Sequence, residues 1–121
     1  MIKPTVVLGA HTNPEKYAYK AIEFLQSIHQ PVYAVGIKKG EVLGLSIETD
    51  FAHLIEPIDT VTLYVGAQNQ SNWIQAILDL KPKRVIFNPG TENPEFEQLL
   101  VDNGIEVQEA CTLVMVRSGQ F

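Results

Sequence analysis

Apolar positions along this chain fall into two rhythms. Five short runs, Thr5–Leu8, Val32–Val35, Val61–Val65, Arg84–Phe87 and Ile105–Gln108, carry apolar residues at neighbouring positions. That pattern predicts strands covered on both faces. Between them the spacing changes to three and four. Ala18, Ala21, Ile22, Leu25 and Ile28 form one stripe within Pro14–His29, which predicts an amphipathic helix. Trp73, Ile74, Ile77 and Leu78 do the same within Asn72–Leu80, and Lys81-Pro82 stops that helix. A third helix is predicted over Pro94–Asn103, with Gly104 just beyond its end. Gly36 to Asp50 reads as a loop punctuated by Gly36, Gly40 and Gly44, and Phe51–Leu54 as a short helical turn. Cys111–Val116 is apolar and marks a further short element. The tripeptide Asn-Pro-Glu stands at 13–15 and again at 93–95. Each copy predicts a helix start, with Asn as N-cap and Pro in the first turn.

Strands alternating with helices predict an α/β domain with a parallel sheet and right-handed crossovers. The expected architecture is a Rossmann-like, doubly wound parallel sheet of five main strands in the order 3-2-1-4-5, forming one domain over residues 1–121. Such sheets bind ligands beyond the carboxyl ends of the strands, where the strand order reverses. The first strand ends there at Leu8-Gly9, and Gly9, Ala10, His11, Thr12 and Asn13 lead to the expected helix start. Glycine admits close approach of a ligand, and free helical N–H groups favour phosphate. On the same side lie Gly36, Ile37, Lys38 and Lys39 after strand two, Gly66, Ala67 and Gln68 after strand three, Asn88, Pro89 and Gly90 after strand four, and Cys111 after strand five.

Composition narrows the ligand. Hydrophobic residues make up 45% and charged residues 19%, ordinary for a globular domain. The net charge of -5 argues against nucleic acid as partner, since such proteins show a basic face. No apolar run approaches the ~20 residues that span a bilayer, and Met1-Ile2-Lys3-Pro4 has no signal-peptide character. A single cysteine gives no disulfide framework. The expected location is cytoplasmic, and the oligomeric state is not legible.

The end of strand two is the sharpest clue. Folds that bind NAD place an acid there for the ribose 2′-hydroxyl. This chain has Val35-Gly36-Ile37-Lys38-Lys39, and its first turn lacks G-x-G-x-x-G. A cation in place of the acid favours an adenosine that bears a ribose phosphate, as in NADP or coenzyme A. Lys81, Lys83 and Arg84 fall at the opposite end and read as a solvated face. His11, His29 and His53 lack metal-ligand spacing. Cys111 is read as a small buried hydrophobe or a reactive thiol, and His11 as a phosphate-loop donor or an exposed histidine.

Several stretches together resemble the small, single-domain CoA-binding proteins, which are similar to the N-terminal CoA-binding domain of the succinyl-CoA synthetase α-subunit. They are residues 9–18, Val35-Gly36-Ile37-Lys38 with Gly44, residues 55–61, residues 86–93 and Ala110-Cys111-Thr112-Leu113-Val114-Met115. The resemblance implies coenzyme A, or an acyl-CoA, at the strand ends of a Rossmann-like fold. It implies a phosphate on Gly9–Asn13, the ribose phosphate near Lys38, the nucleotide along Gly66–Gln68 and the pantetheine arm facing Asn88-Pro89-Gly90. The family more commonly has Asn-Pro after its second strand, where this chain has Gly36-Ile37. The synthetase works through a phosphorylated histidine in another domain and a separate nucleotide-grasping subunit, neither of which these 121 residues hold. Three readings follow: a non-catalytic carrier, sensor or regulatory module; a nucleotide-dependent enzyme, for NADP or a thioester, using Cys111 or His11; and an interaction protein with a degenerate nucleotide site.

Overall fold

A computed structural model describes residues 1–121. The strands are β1 (Thr5–Leu8), β2 (Val32–Val35), β3 (Gly40–Val42), β4 (Leu45–Glu48), β5 (Thr60–Leu63), β6 (Arg84–Phe87) and β7 (Glu106–Glu109). The helices are α1 (Tyr17–Ser27), α2 (Ile74–Leu80), α3 (Pro94–Asp102) and α4 (Thr112–Arg117). All strands join one sheet in the order β3-β4-β2-β1-β5-β6-β7. Only the edge strand β3 runs antiparallel to its neighbour, β4. None of the helices is long and apolar enough to cross a membrane.

Period-two alternation sorts the core into two layers. Val6, Leu8, Val61, Leu63, Val85 and Phe87 point to one face and pack on Ile77 of α2 and on Phe96 and Leu100 of α3. Phe87 meets Phe96 edge-on at 5.6 Å between ring centroids. Val7, Ala34 and Ile86 point to the other face and pack on Ala18, Ile22 and Leu25 of α1 and Met115 of α4. Full burial of each Leu or Phe contributes about 1.5–3 kcal/mol.

The expected order fails in one respect. The strand taken as the third, now Thr60–Leu63, pairs directly with β1, while β4 occupies the place outside β2. The reason is the segment read as a loop. Gly40–Val42 and Leu45–Glu48 form a hairpin whose two-residue connection, Leu43-Gly44, has positive φ at both positions, 49° and 83°. That is the geometry that suits the twist of a tight hairpin. Leaving out β3 and numbering the six parallel strands in chain order, the sheet runs 3-2-1-4-5-6. The order therefore reverses between β1 and β5.

Other expectations shift locally. The first Asn-Pro-Glu does not start a helix, because α1 begins at Tyr17. Phe51–Leu54 is a single hydrogen-bonded turn, Leu54 N–H to Phe51 C=O at 3.2 Å. A 3-10 turn over Ala67–Asn69 precedes α2, which starts at Ile74 and not at Asn72. Arg84 is not solvated. It is buried, donates from Nε to Thr60 Oγ1 (3.0 Å) and from Nη1 to the Phe121 carbonyl (2.9 Å), and lies 4.6 Å from the Phe121 ring centroid.

Candidate functional site

At the reversal point the backbones of β1, β2 and β5 meet. The N–H groups of Gly9 and Ala10 both donate to the Val35 carbonyl, at 2.8 and 3.0 Å. Gly9 has φ +100°, and a Cβ built on it would lie 2.8 Å from the Tyr64 carbonyl oxygen. A Cβ on Gly36 would lie 2.7 Å from the Ala10 carbonyl oxygen. These glycines are required by the packing of the chain on itself. The donors left in the first turn come after them. His11 and Thr12 keep N–H groups unbonded within the chain, and Asn13 N–H donates to His11 Nδ1 at 3.0 Å. An accepting Nδ1 places the neutral ring's proton on Nε2, an outward donor.

Four adjoining cavities follow the strand ends and share lining residues. The first, about 310 Å³, lies between His11, Thr12, Ile37, Lys38 and Lys39. The second, about 470 Å³, runs past His11 and Tyr64 to Gly66, Gln68 and Trp73. The third, about 350 Å³, lies between Gly9, His11, Lys16, Tyr17, Gly66 and Gly90. The fourth, about 240 Å³, is closed by Tyr17, Tyr64, Asn88, Pro89, Cys111 and Leu113. His11 borders three of the four and Tyr64 borders three. The chain has 14 acidic residues, yet none lines any of these cavities, while Lys16, Lys38 and Lys39 do. Three of the acids, Glu92, Glu97 and Glu109, stand together beside the start of α3 and the end of β7. There the Glu97 carboxylate holds the exposed Glu109 carboxyl above its usual range, with Glu92 adding to the effect.

Most residues picked out in the sequence are therefore brought together. Gly9, Ala10, His11, Thr12, Ile37, Lys38, Lys39, Gly66, Gln68, Asn88, Pro89, Gly90 and Cys111 all line the groove. Asn13, Gly36 and Ala67 do not. Asn13 Oδ1 accepts from Glu15 N–H at 2.9 Å, and Gly36 is buried beneath Ala10. Sequence reasoning missed Lys16, Tyr17 and Tyr64. The helix expected from Pro14 puts Lys16 and Tyr17 in its interior, whereas they form its N-terminal edge; Lys16 N–H donates to the Asn13 carbonyl at 3.0 Å, and the N–H groups of the first helical turn after it are free. Tyr64 had been placed inside a strand that ends one residue earlier.

The walls are held by buried amides. Asn88 Nδ2 donates to Thr62 Oγ1 (2.7 Å) and to the Leu63 carbonyl (2.8 Å), and its Oδ1 accepts from Thr112 N–H (2.9 Å). Asn88 thus fixes the start of α4 and has no amide N–H to spare for a ligand. Gln70 Nε2 donates to the carbonyls of Val65 (2.8 Å) and Thr91 (2.7 Å), and its Oε1 accepts from Asn93 (3.0 Å). Cys111 is half-buried and precedes α4 without a side-chain cap. The Tyr64 hydroxyl is buried with no hydrogen-bond partner, and burial pushes its pKa up to about 12. His11 and Cys111 line no cavity in common.

A family model described as a CoA binding domain matches residues 3–117. Among solved structures, one described as an uncharacterized protein is 52% identical over 100% of this chain and 99% of its own, with a TM-score of 0.96. Cell-free ID.343 from Thermus thermophilus is 27% identical over 98% of this chain and 90% of its own, with a TM-score of 0.87. A dinucleotide forming acetyl-coenzyme A synthetase from Ca. Korarchaeum cryptofilum, in complex with phosphate and ADP, shares the fold at 18% identity. It has a TM-score of 0.71 over 88% of this chain and 25% of its own. No curated protein matches.

Proposed function

Since the chain belongs to the CoA-binding domain family, we propose that it binds coenzyme A or an acyl-CoA along the strand-end groove of a Rossmann-like sheet, as a non-catalytic carrier, sensor or regulatory module. One observation carries the reading: on an acidic chain, the only charged residues lining the groove are lysines. A ligand bearing several phosphates gains from such a lining, and an acid among them would oppose it.

The residues fit the parts of the ligand in order. Lys38 and Lys39, both exposed, suit the ribose phosphate, and Ile37, 88% exposed, offers an apolar surface for the adenine. His11 Nε2, the His11 and Thr12 N–H groups and Lys16 at the start of α1 suit the pyrophosphate. Gly90, Pro89 and Tyr17 border the path of the pantetheine arm toward Cys111. When bound, the group would supply a thiol or thioester at the far end, and the chain's own residues would bind and orient it. A catalytic pair of Cys111 and His11 lacks comparable support, because no cavity holds both.

Titration calorimetry and thermal shift test the reading with coenzyme A, dephospho-CoA, NAD and ATP. Coenzyme A should stabilise the protein most, by about 2.7 kcal/mol at a hundred times Kd. Lys38→Ala should weaken coenzyme A by about 1–2 kcal/mol and dephospho-CoA by much less. A protein that responds to NAD and ignores coenzyme A would overturn the proposal. Equal affinity for coenzyme A and dephospho-CoA would release Lys38 and Lys39 from their role.

A further inference from the structure

We propose that the preferred ligand is a short acyl thioester of coenzyme A, and that the cavity between Tyr17, Tyr64, Pro89, Cys111 and Leu113 is its acyl subsite. This rests on the reading of the groove given above. The two ends of the groove differ in chemistry. Lys38 and Lys39 lie at one end, and the fourth cavity at the other is lined mainly by rings and aliphatic groups. Its volume of about 240 Å³ is below the roughly 300–1,000 Å³ of pockets that hold whole small ligands. It has room for a fragment that enters from the neighbouring cavity, with which it shares Tyr17, Tyr64 and Pro89.

The polar groups around this cavity decide what the fragment carries. Both Asn88 amide hydrogens are engaged, and the Thr62 and Thr112 hydroxyls bond each other at 2.8 Å. The Tyr64 hydroxyl is buried beside these two hydroxyls and offers the cavity no surface. What remains of the wall is mostly rings and aliphatic groups, which suit a few methylenes. Tyr17 on the cavity wall is 67% exposed, so a longer chain would run out past it into solvent and gain little.

Calorimetry with coenzyme A and its acetyl, butyryl and palmitoyl thioesters tests this. Butyryl-CoA should bind about tenfold or more tighter than coenzyme A, from the burial of its methylenes, and palmitoyl-CoA should add little beyond butyryl-CoA. Leu113→Trp, which fills the cavity, should bring the ratio of butyryl-CoA to coenzyme A affinity toward one. Equal affinity across the series, or a ratio untouched by Leu113→Trp, would overturn the acyl subsite while leaving coenzyme A as ligand. Failure of every one of these compounds to bind would instead overturn the reading of the groove itself.

Discussion

Two strand-to-helix turns on the ligand side use the same parts and behave differently. The turn from β1 to α1 has Gly9 at φ +100° and Asn-Pro-Glu at 13–15, and the turn from β6 to α3 has Gly90 at φ +93° and Asn-Pro-Glu at 93–95. In the second, Asn93 caps α3: its Oδ1 accepts from Phe96 N–H at 3.3 Å, and Glu97 reaches back to Asn93 N–H at 2.9 Å. In the first, Tyr17 stands where Glu97 would be, and Asn13 Oδ1 turns to Glu15 N–H instead. The helix starts later, and residues 11–16 stay exposed or half-exposed beside the groove. A capping signal is thus completed by the residue four places on, and its absence here leaves donors and a lysine facing the cavities.

The two glycines should separate most widely. Gly9→Val adds a branched side chain at a positive φ and drives its Cβ to 2.8 Å from a backbone carbonyl. The loss expected is about 3–5 kcal/mol, enough to unfold much of the protein. Gly90 has nothing within 4 Å of a built Cβ, so Gly90→Ala should cost only the left-handed backbone, about 1–2 kcal/mol. Urea unfolding of both variants measures the difference. Equal losses would mean that the crowding at Tyr64 relaxes freely and that Gly9 is not fixed by packing.

The same contrast explains what the sequence made legible. The bounds of β1, β2 and β6 follow from their apolar runs alone, because burial on both faces leaves little choice of residue. The hairpin β3–β4 does not, because its turn is Leu43-Gly44 where Asn-Gly or Asp-Gly is the usual signal. Leu43 holds φ 49° with its carbonyl accepting from Gln26 Nε2 at 3.1 Å, a tertiary contact no local pattern reveals. Missing that hairpin displaced the third strand and with it the strand order. Most of the residues named as the candidate site still come together, because their positions depend on where strands end, and those ends fall within two residues of the expected ones. Lys16, Tyr17 and Tyr64 were lost through errors of one to three residues at element boundaries.

Alanine at the two asparagines probes the caps directly. Asn93→Ala removes the side-chain cap and the bond to Gln70 Oε1, while the backbone N–H that donates to Glu97 remains. It should cost about 1–2 kcal/mol. Asn13→Ala removes one exposed local bond and should stay within about 0.5 kcal/mol. If the two losses coincide in denaturant unfolding, the tripeptide acts alone and the reach-back of Glu97 is incidental.

The smallest effect is expected at a third turn of the same side, where Cys111 leads into α4. Here the cap position is extended, φ -98° and ψ 115°, yet the thiol makes no capping bond. Asn88 Oδ1 already takes Thr112 N–H from outside the helix. Cys111→Ser offers a hydroxyl with the preferred capping chemistry to the free N–H groups that follow, a gain of about 1 kcal/mol. Against it stands the transfer of a hydroxyl into a half-buried, mostly apolar place, a loss of similar size. The two should nearly cancel, so stability should stay within about 1 kcal/mol of the parent, and Cys111→Ala, which has neither effect, should fall beside it. A module that only binds should also alkylate slowly at Cys111 near neutral pH, since thiolate is the reactive form. Rapid alkylation that bound coenzyme A blocks would give Cys111 a chemical role and make His11 the next side chain to replace.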